Sequence, residues 1–289
     1  MAVILVTGAS GQLGRELKVK SKNYFGYEFL FTDIDTLDIT DGKKVRKFIN
    51  QNFCDWIINC AAYNFVEKAE TEYDKAIQIN SFAVKNLVDS IKGTDSRLIH
   101  FSTDYVFDGK SNVPYKETSV TNPLSAYGRS KLEGEISALQ HPGSMIIRTS
   151  WLYSEFGNNF VKSILNKGKV NEPLNVVFDQ IGTPTYAADL ADAVLLIISK
   201  VIKNQFAFNA GLYHYSNEGV CSWYDFATEI INESGFNCKV LPILTKDLRS
   251  AVQRPPYSVL DKSKIKENYS VEIPHWRQSL RRCIKLLLK

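Results

Sequence analysis

No apolar run in the 289 residues approaches the roughly 18 that a membrane-spanning helix needs. The nearest, "ADAVLLIISKVI", is short and carries Asp192 and Lys200. The opening "MAVILVTGAS" has no basic leader and no small-residue cleavage site, so it reads as a strand and not as a secretory signal. Cysteine is scarce and odd in number: Cys54, Cys60, Cys221, Cys238 and Cys283 form no CxxC spacing. That pattern excludes a disulfide framework and predicts reduced, buried thiols in a soluble cytoplasmic protein. The four histidines (His100, His141, His214, His275) are scattered, which suits packing or surface roles better than metal ligation. An excess of one charge is also missing. Lys and Arg total 35 against 31 Asp and Glu, a net +4 with the signs interspersed, so there is no basic stripe to serve as a nucleic-acid platform. Repeats and low-complexity linkers are absent.

What is present is an alternation of strand-like and helix-like segments. "VILVTG", "EFLFTD", "WIINCAA", "RLIHFST" and "SMIIRTS" are apolar runs; between them lie the amphipathic "LGRELKVK", "KKVRKFINQN" and "AIQINSFAVKNLVDSI". This rhythm predicts an α/β fold, a Rossmann-type doubly wound parallel sheet whose strands are covered on both faces. After Ser150 the rhythm loosens. The expectation is a dinucleotide-binding domain over residues 1–150, joined by about 205–236, with the rest of 151–289 forming a smaller, partly interleaved substrate lobe and a cleft between them.

Two stretches carry chemistry. In "VTGASGQLGRE", Gly8, Gly11 and Gly14 stand between the first strand and the first helix. Glycine is needed there for a tight turn, for backbone approach to a pyrophosphate and for close packing of helix on strand, while the helix N-terminus offers free N–H groups and partial positive charge. Asp33, 19 residues beyond Gly14, is placed to accept from the two ribose hydroxyls of an adenosine. It should repel a 2′-phosphate, whereas Arg15 could attract one, so both NADPH and NADH stay open. Asp38 and Ile39 in "LDIT" could flank the adenine or form a capping loop before the next helix.

The second stretch is "NPLSAYGRSKLEGE". Tyr127 and Lys131 are four residues apart, hence on one helix face. A phenol with an ordinary pKa near 10 is a poor acid or base at neutral pH, and an adjacent ammonium together with the positive nicotinamide of an oxidised cofactor lowers that value. Ser102, Thr103, Asp104 and Tyr105 follow a strand at the carboxyl edge of the sheet, where open α/β folds bind ligands. A hydroxyl such as Thr103 could share the substrate oxygen with Tyr127.

Together with "INCAAY", "STDYVFDG", "IIRTSWLY", "NNFV", "GTPTYAADLA", "GLYHYSN", "SWYDFA" and "RPPYSVL", these motifs resemble the extended short-chain dehydrogenase/reductase superfamily, and within it the dTDP-4-dehydrorhamnose reductase family. The resemblance runs from residue 3 to about 282. It implies reduction of the 4-keto group of dTDP-4-dehydro-6-deoxy-L-mannose by NADPH or NADH, in a monomer or homodimer. It further implies Tyr127 as proton donor, Lys131 on the nicotinamide ribose, and Thr103 on the carbonyl oxygen. Gln12 and Leu13 join the glycines against the cofactor, and Ala61, Ala62 and Tyr63 border it. Val66, Asp104 and Tyr105 would meet the sugar, Trp151 the base, and Asn159 and Arg254 the base or diphosphate. Asn64 and Glu67 stand where threonine and aspartate are frequent. Glu16 matches one position of an intersubunit Mg²⁺ site in some members, but the tail "RRCIKLLLK" offers no carboxylate, so no metal is expected. Two other readings share the resemblance: a non-catalytic regulatory subunit of the methionine adenosyltransferase type, and an epimerase or dehydratase. The intact Tyr127–Lys131 pair argues against the first. Tyr105 directly after Asp104, where a dehydratase pairs Asp with Glu, argues against the second.

Overall fold

Six parallel strands make the central sheet: β1 (Ala2–Thr7), β2 (Tyr27–Phe31), β3 (Trp56–Asn59), β4 (Arg97–Thr103), β5 (Ser144–Thr149) and β6 (Gly211–His214), in spatial order β6-β5-β4-β3-β1-β2. The computed structural model describes residues 1–248 and 252–289. The expected α/β architecture is therefore present. The strands are continuously apolar because alternate residues feed opposite cores. Ile4, Val6, Ile58 and Ile147 enter one apolar cluster, and Leu5, Ile57, Leu98 and Ile146 enter the other. Helices α1 (Gln12–Lys20), α2 (Gly42–Asn52), α3 (Ala83–Ile91) and α4 (Ala126–Ala138) surround the first five strands.

Register places the carboxyl ends side by side. Thr7 pairs with Asn59, Asn59 with His100, and Thr103 with Thr149. The chain leaves β1 toward β2 on one side and returns to β3 on the other, so the strand order reverses between β1 and β3. Ligands of open α/β sheets bind at such a switch point. The Thr7 hydroxyl donates to Asn59 Oδ1 at 2.8 Å across it.

A third apolar cluster lies beyond the sheet. It joins α5 (Phe160–Gly168), α7 (Trp223–Ser234) and α8 (Trp276–Leu287), whereas the intervening α6 (Ala187–Ile202) packs in the sheet's own core with α1. The chain thus crosses from one core to the other more than once after Ser150.

The segment "AIQINSFAVKNLVDSI" is helical, but residues Gln78–Phe82 form a wide π turn within it. Wide turns of this kind are often found at functional sites. Asn80, on that turn, accepts from Tyr63 N (2.8 Å) and donates to Tyr63 O (3.0 Å) and Ser130 Oγ (2.9 Å). It ties the loop after β3 to α4. A methyl group on Gly134 of α4 would overlap the Asn80 carbonyl. Overpacking of this kind costs about 1–3 kcal/mol, so Gly134→Ala is expected to lower the thermal midpoint by several degrees, and a differential scanning measurement showing no change would mean that the two helices can part.

Candidate active site

The carboxyl edge of the sheet opens into two adjoining cavities of about 400 and 410 Å³ that share Gly11, Cys60, Ala61, Ala62 and Asn64, one continuous cleft. Gly8 (φ +64°) lies so near the end of β3 that a side-chain Cβ would come within 2.5 Å of Ala61 N, and one on Gly14 would come within 2.5 Å of Gly8 O. No side chain caps α1 at Gly11, and Gly11 through Gly14 line the inner cavity. An uncapped helix N-terminus over a cradle from which side chains are sterically excluded suits an anion such as a diphosphate.

The outer cavity holds Gly8, Asp33, Asp38 and Ile39 together. Asp33 Oδ2 accepts from Ser10 N and Oδ1 from Ile34 N, each at 2.8 Å. Partial burial pushes this carboxyl up, but the amides of Ser10 and Ile34 and the Ser10 hydroxyl outweigh it and hold it below the usual range. Asp38 accepts from Thr40 N and Oγ1, making a turn, while Asp41 is the residue that caps α2. Arg15 is exposed and its guanidinium lies over the Phe156 ring, 5.7 Å from the centroid.

The inner cavity brings Thr103, Asp104, Tyr105, Tyr127, Lys131, Val66, Trp151 and Arg254 to the same space. Ser125 caps α4 through Gly128 N (3.1 Å), which starts the helix at the turn that carries Tyr127 inward. The Tyr127 hydroxyl donates to Asn64 Oδ1 at 3.3 Å, and its ring meets Tyr105 edge to face at 5.6 Å. Lys131 Nζ donates to the Phe101 carbonyl at 2.6 Å. Burial pushes the lysine down to about 8, opposed by Glu135 and Cys60. Burial raises the Tyr127 phenol, Asp104 adds to the rise and the Thr103 hydroxyl opposes it. The expected lowering involves an oxidised nicotinamide as well as Lys131; among the chain's own groups desolvation sets the direction. Tyr127 keeps its proton, as an acid must.

Asp104 is buried beside them, its Oδ1 accepting from Thr103 Oγ1 at 3.1 Å. Burial pushes its carboxyl up to about 6, against the Ser258 and Thr103 hydroxyls and the local backbone amides.

Two expected residues are not brought to the cleft. Tyr63 is turned into the loop after β3, its hydroxyl on Glu72 (2.9 Å) and its amide on Asn80. Asn159 is occupied as the cap of α5, accepting from Lys162 N at 3.1 Å, and its amide donates to Gln12 Oε1 (2.9 Å) and Ser154 O (2.7 Å). Its neighbour Asn158 lines the cavity instead. Trp151 lies in the cleft wall at φ +48°, stacked on Trp223 with centroids 3.6 Å apart, and a Cβ on Gly182 would touch its ring at 2.7 Å. Trp223, the first residue of α7, also lines the cavity, which no spacing within "SWYDFA" announces. Arg254 pairs with Glu67, and its Nε has no hydrogen-bond partner among the described residues. Glu16 is buried inside the chain, accepting from the Ser154 hydroxyl at 2.6 Å, and burial pushes it up to about 8.

The RmlD substrate binding domain family matches residues 1–288. The chain belongs to that family. A dTDP-4-dehydrorhamnose reductase of Aggregatibacter actinomycetemcomitans is 41% identical, covering 97% of this chain and 98% of that one. Among solved structures, a dTDP-4-dehydrorhamnose reductase from Clostridium acetobutylicum superposes with a TM-score of 0.92 at 43% identity, over 99% of this chain and 100% of that one. Another from Bacillus anthracis, solved in complex with NADP, gives 0.92 at 38% identity over the same shares. Asn64 meets the Tyr127 hydroxyl, and Glu67 holds Arg254.

The Asp104 carboxyl supplies a stability test. Its folded-state value lies above the ordinary 3.8, so the cost of ionising it is absent in acid, grows as pH rises from about 4 to 6, and persists above, amounting to about 3 kcal/mol. Asp104→Asn should raise the thermal midpoint at pH 7.5 and leave it nearly unchanged at pH 4. A midpoint that rises equally at both would show that ionisation is not the cause.

Proposed function

We propose that the protein is an NAD(P)H-dependent reductase of the 4-keto group of dTDP-4-dehydrorhamnose, giving dTDP-L-rhamnose. The observation that carries this is the placement of Thr103 and Tyr127 in one inner cavity that runs without interruption into the glycine cradle and Asp33. The family membership and the names of its members supply the substrate class.

The residues that would hold the cofactor are Gly8, Gly11 and Gly14 at the diphosphate, Asp33 with Asp38 and Ile39 at the adenosine, and Ala61, Ala62 and Lys131 nearer the nicotinamide. The bound dinucleotide supplies hydride to the carbonyl carbon. Tyr127 holds the proton that passes to the carbonyl oxygen, and Thr103 orients that oxygen. The protonated phenol suits the direction of reduction, since the group must arrive charged with its proton and act as general acid. On the sugar side we assign Val66, Asp104 and Tyr105. At the nucleotide, Arg254 would meet the diphosphate with its fork, and Trp151 with Trp223 would form the wall against the base. By the same reading residues 1–150, joined by about 205–236, serve the cofactor and the remainder serves the substrate; of the joined stretch β6 pairs into the sheet, whereas α7 packs in the third apolar cluster. Five free cysteines, Cys60 half-buried and the others buried, suit the reducing cytoplasm.

The direct test adds dTDP-4-dehydro-L-rhamnose to the purified protein and follows the reduced-nicotinamide absorbance with NADPH and with NADH. Sugar-dependent oxidation is expected, and its absence with both cofactors despite tight cofactor binding would overturn the assignment. Tyr127→Phe should lose about 100- to 10,000-fold in kcat while retaining cofactor affinity; a wild-type rate would remove the phenol from the mechanism. Asp33→Ala should weaken NADH more than NADPH by titration calorimetry, since it removes an acceptor for a free ribose hydroxyl; equal losses would leave Asp33 only its clamp on Ser10.

A further inference from the structure

One face of α4 buries a column of polar and charged groups whose far end, Glu135 and Arg148, the reaction scheme does not use. Tyr127, Lys131 and Glu135 follow at intervals of four, and Arg148 of β5 closes the column. Lys131, Glu135 and Arg148 are respectively 3%, 2% and 2% exposed. Glu135 Oε1 accepts from Arg148 Nε at 2.7 Å and from the Ser102 hydroxyl at 2.5 Å, and Oε2 accepts from Arg148 Nη2 at 2.6 Å. Arg148 is steadied from behind by Phe107, whose ring it covers at 5.1 Å.

The groups that act on the Lys131 ammonium come from three elements: Cys60 after β3, His100 on β4 and Glu135 on its own helix, with Arg148 bonded to Glu135. The Cys60 thiol is pushed up by burial and stays neutral; His100 is pushed down by burial and by Lys131 itself and is neutral too. Glu135 is the anion among them. No carboxylate lies within 4.0 Å of Lys131 Nζ among the described residues; Glu135, one turn along the same face of α4 and equally buried, acts on it through a water-poor interior, where a charge is weakly screened.

We propose that Glu135 is a positioning residue that keeps the Lys131 side chain an ammonium through neutral pH, with Arg148 and Ser102 fixing the carboxylate in place. Ser102 adjoins Thr103, so the same strand end that presents the substrate hydroxyl also orients the anion behind the lysine. The inference rests on the reductase reading for Lys131's role, and it adds a determinant of the pH range over which that role holds.

Removing the carboxylate lowers the affinity of Lys131 for its proton, so the ammonium is lost at lower pH. In Glu135→Gln the alkaline limb of kcat should move toward acid by about one pH unit, the scale of one nearby charge, with cofactor affinity unchanged. The single variant leaves Arg148 buried without its partner and should unfold more readily. The double variant Glu135→Gln/Arg148→Met removes both charges and is expected to recover thermal stability while keeping the shifted limb, and Glu135→Asp, which retains the charge, should keep the wild-type limb. A stable double variant with the wild-type limb would reduce the pair to a structural ion pair and overturn the proposal, as would the same shift in Glu135→Asp. Competitive labelling of Lys131 with acetic anhydride across pH reads the ammonium without turnover. A shift there in an enzyme that does not reduce the sugar would leave the electrostatic proposal standing and the substrate assignment fallen; no shift there in Glu135→Gln would sink the proposal whatever the substrate.

Discussion

The cleft depends on how closely bare backbone passes bare backbone where β1 gives way to α1. At Gly8 and Gly14 the neighbouring main chain stands about where a Cβ would be, and at Ala61 the end of β3 presses on the same turn. A side chain at either glycine would push the helix off the sheet and part the two strands at which the chain order reverses. Thr7 and Asn59 then sew those strands together from side chain to side chain. Everything downstream, including the shared wall of the two cavities at Ala61 and Ala62, inherits its position from that contact.

Around this rigid edge the protein keeps ionisable groups where water is scarce. Lys131, Glu135, Arg148 and Asp104 are all nearly inaccessible, yet they differ in how they are compensated. Glu135 and Arg148 are joined through two short charge-assisted bonds, with Arg148 Nη1 left without a partner among the described residues, whereas Asp104 relies on hydroxyls and is pushed toward its neutral form. A group compensated by a fixed partner keeps its state; one compensated by hydroxyls can change state when something binds. Poorly compensated groups cluster at sites because the compensation arrives with the ligand.

The sheet, the glycine turn and the Tyr127–Lys131 pair were legible because each follows from a local rule: apolar runs, a spacing of glycines, a spacing of four on a helix. Asp33 was legible by its distance from the turn, and the chain shows it next to Ser10. Asn159 misled because an asparagine ahead of a helix has two uses, ligand and cap, and capping won, leaving Asn158 to line the cavity. Tyr63 misled for a related reason: Asn80, seventeen residues away on a wide turn that no periodicity announces, captures its backbone. Trp223 and Glu135 stood within quoted motifs, but their partners, Trp151 and Arg148, are distant in sequence or on another element, and no spacing rule connects them. Burial's upward push on the phenol was not legible, because charge proximity is visible in sequence and burial is not.

Helix α1 has two clients. Its first turn belongs to the glycine cradle, yet Gln12 accepts from Asn159 at the start of α5, Glu16 accepts from Ser154, and Lys20 pairs with Asp192 of α6 at 2.6 Å. Along its length it is stitched to the segments that carry the far wall of the inner cavity. The first turn of α1 and the beginning of α5 are therefore joined directly, through Gln12 and Asn159. The helix is thus a shared beam: the turn that forms the glycine cradle and the segment that leads into α5 hang from one element, so neither can be displaced without moving the other.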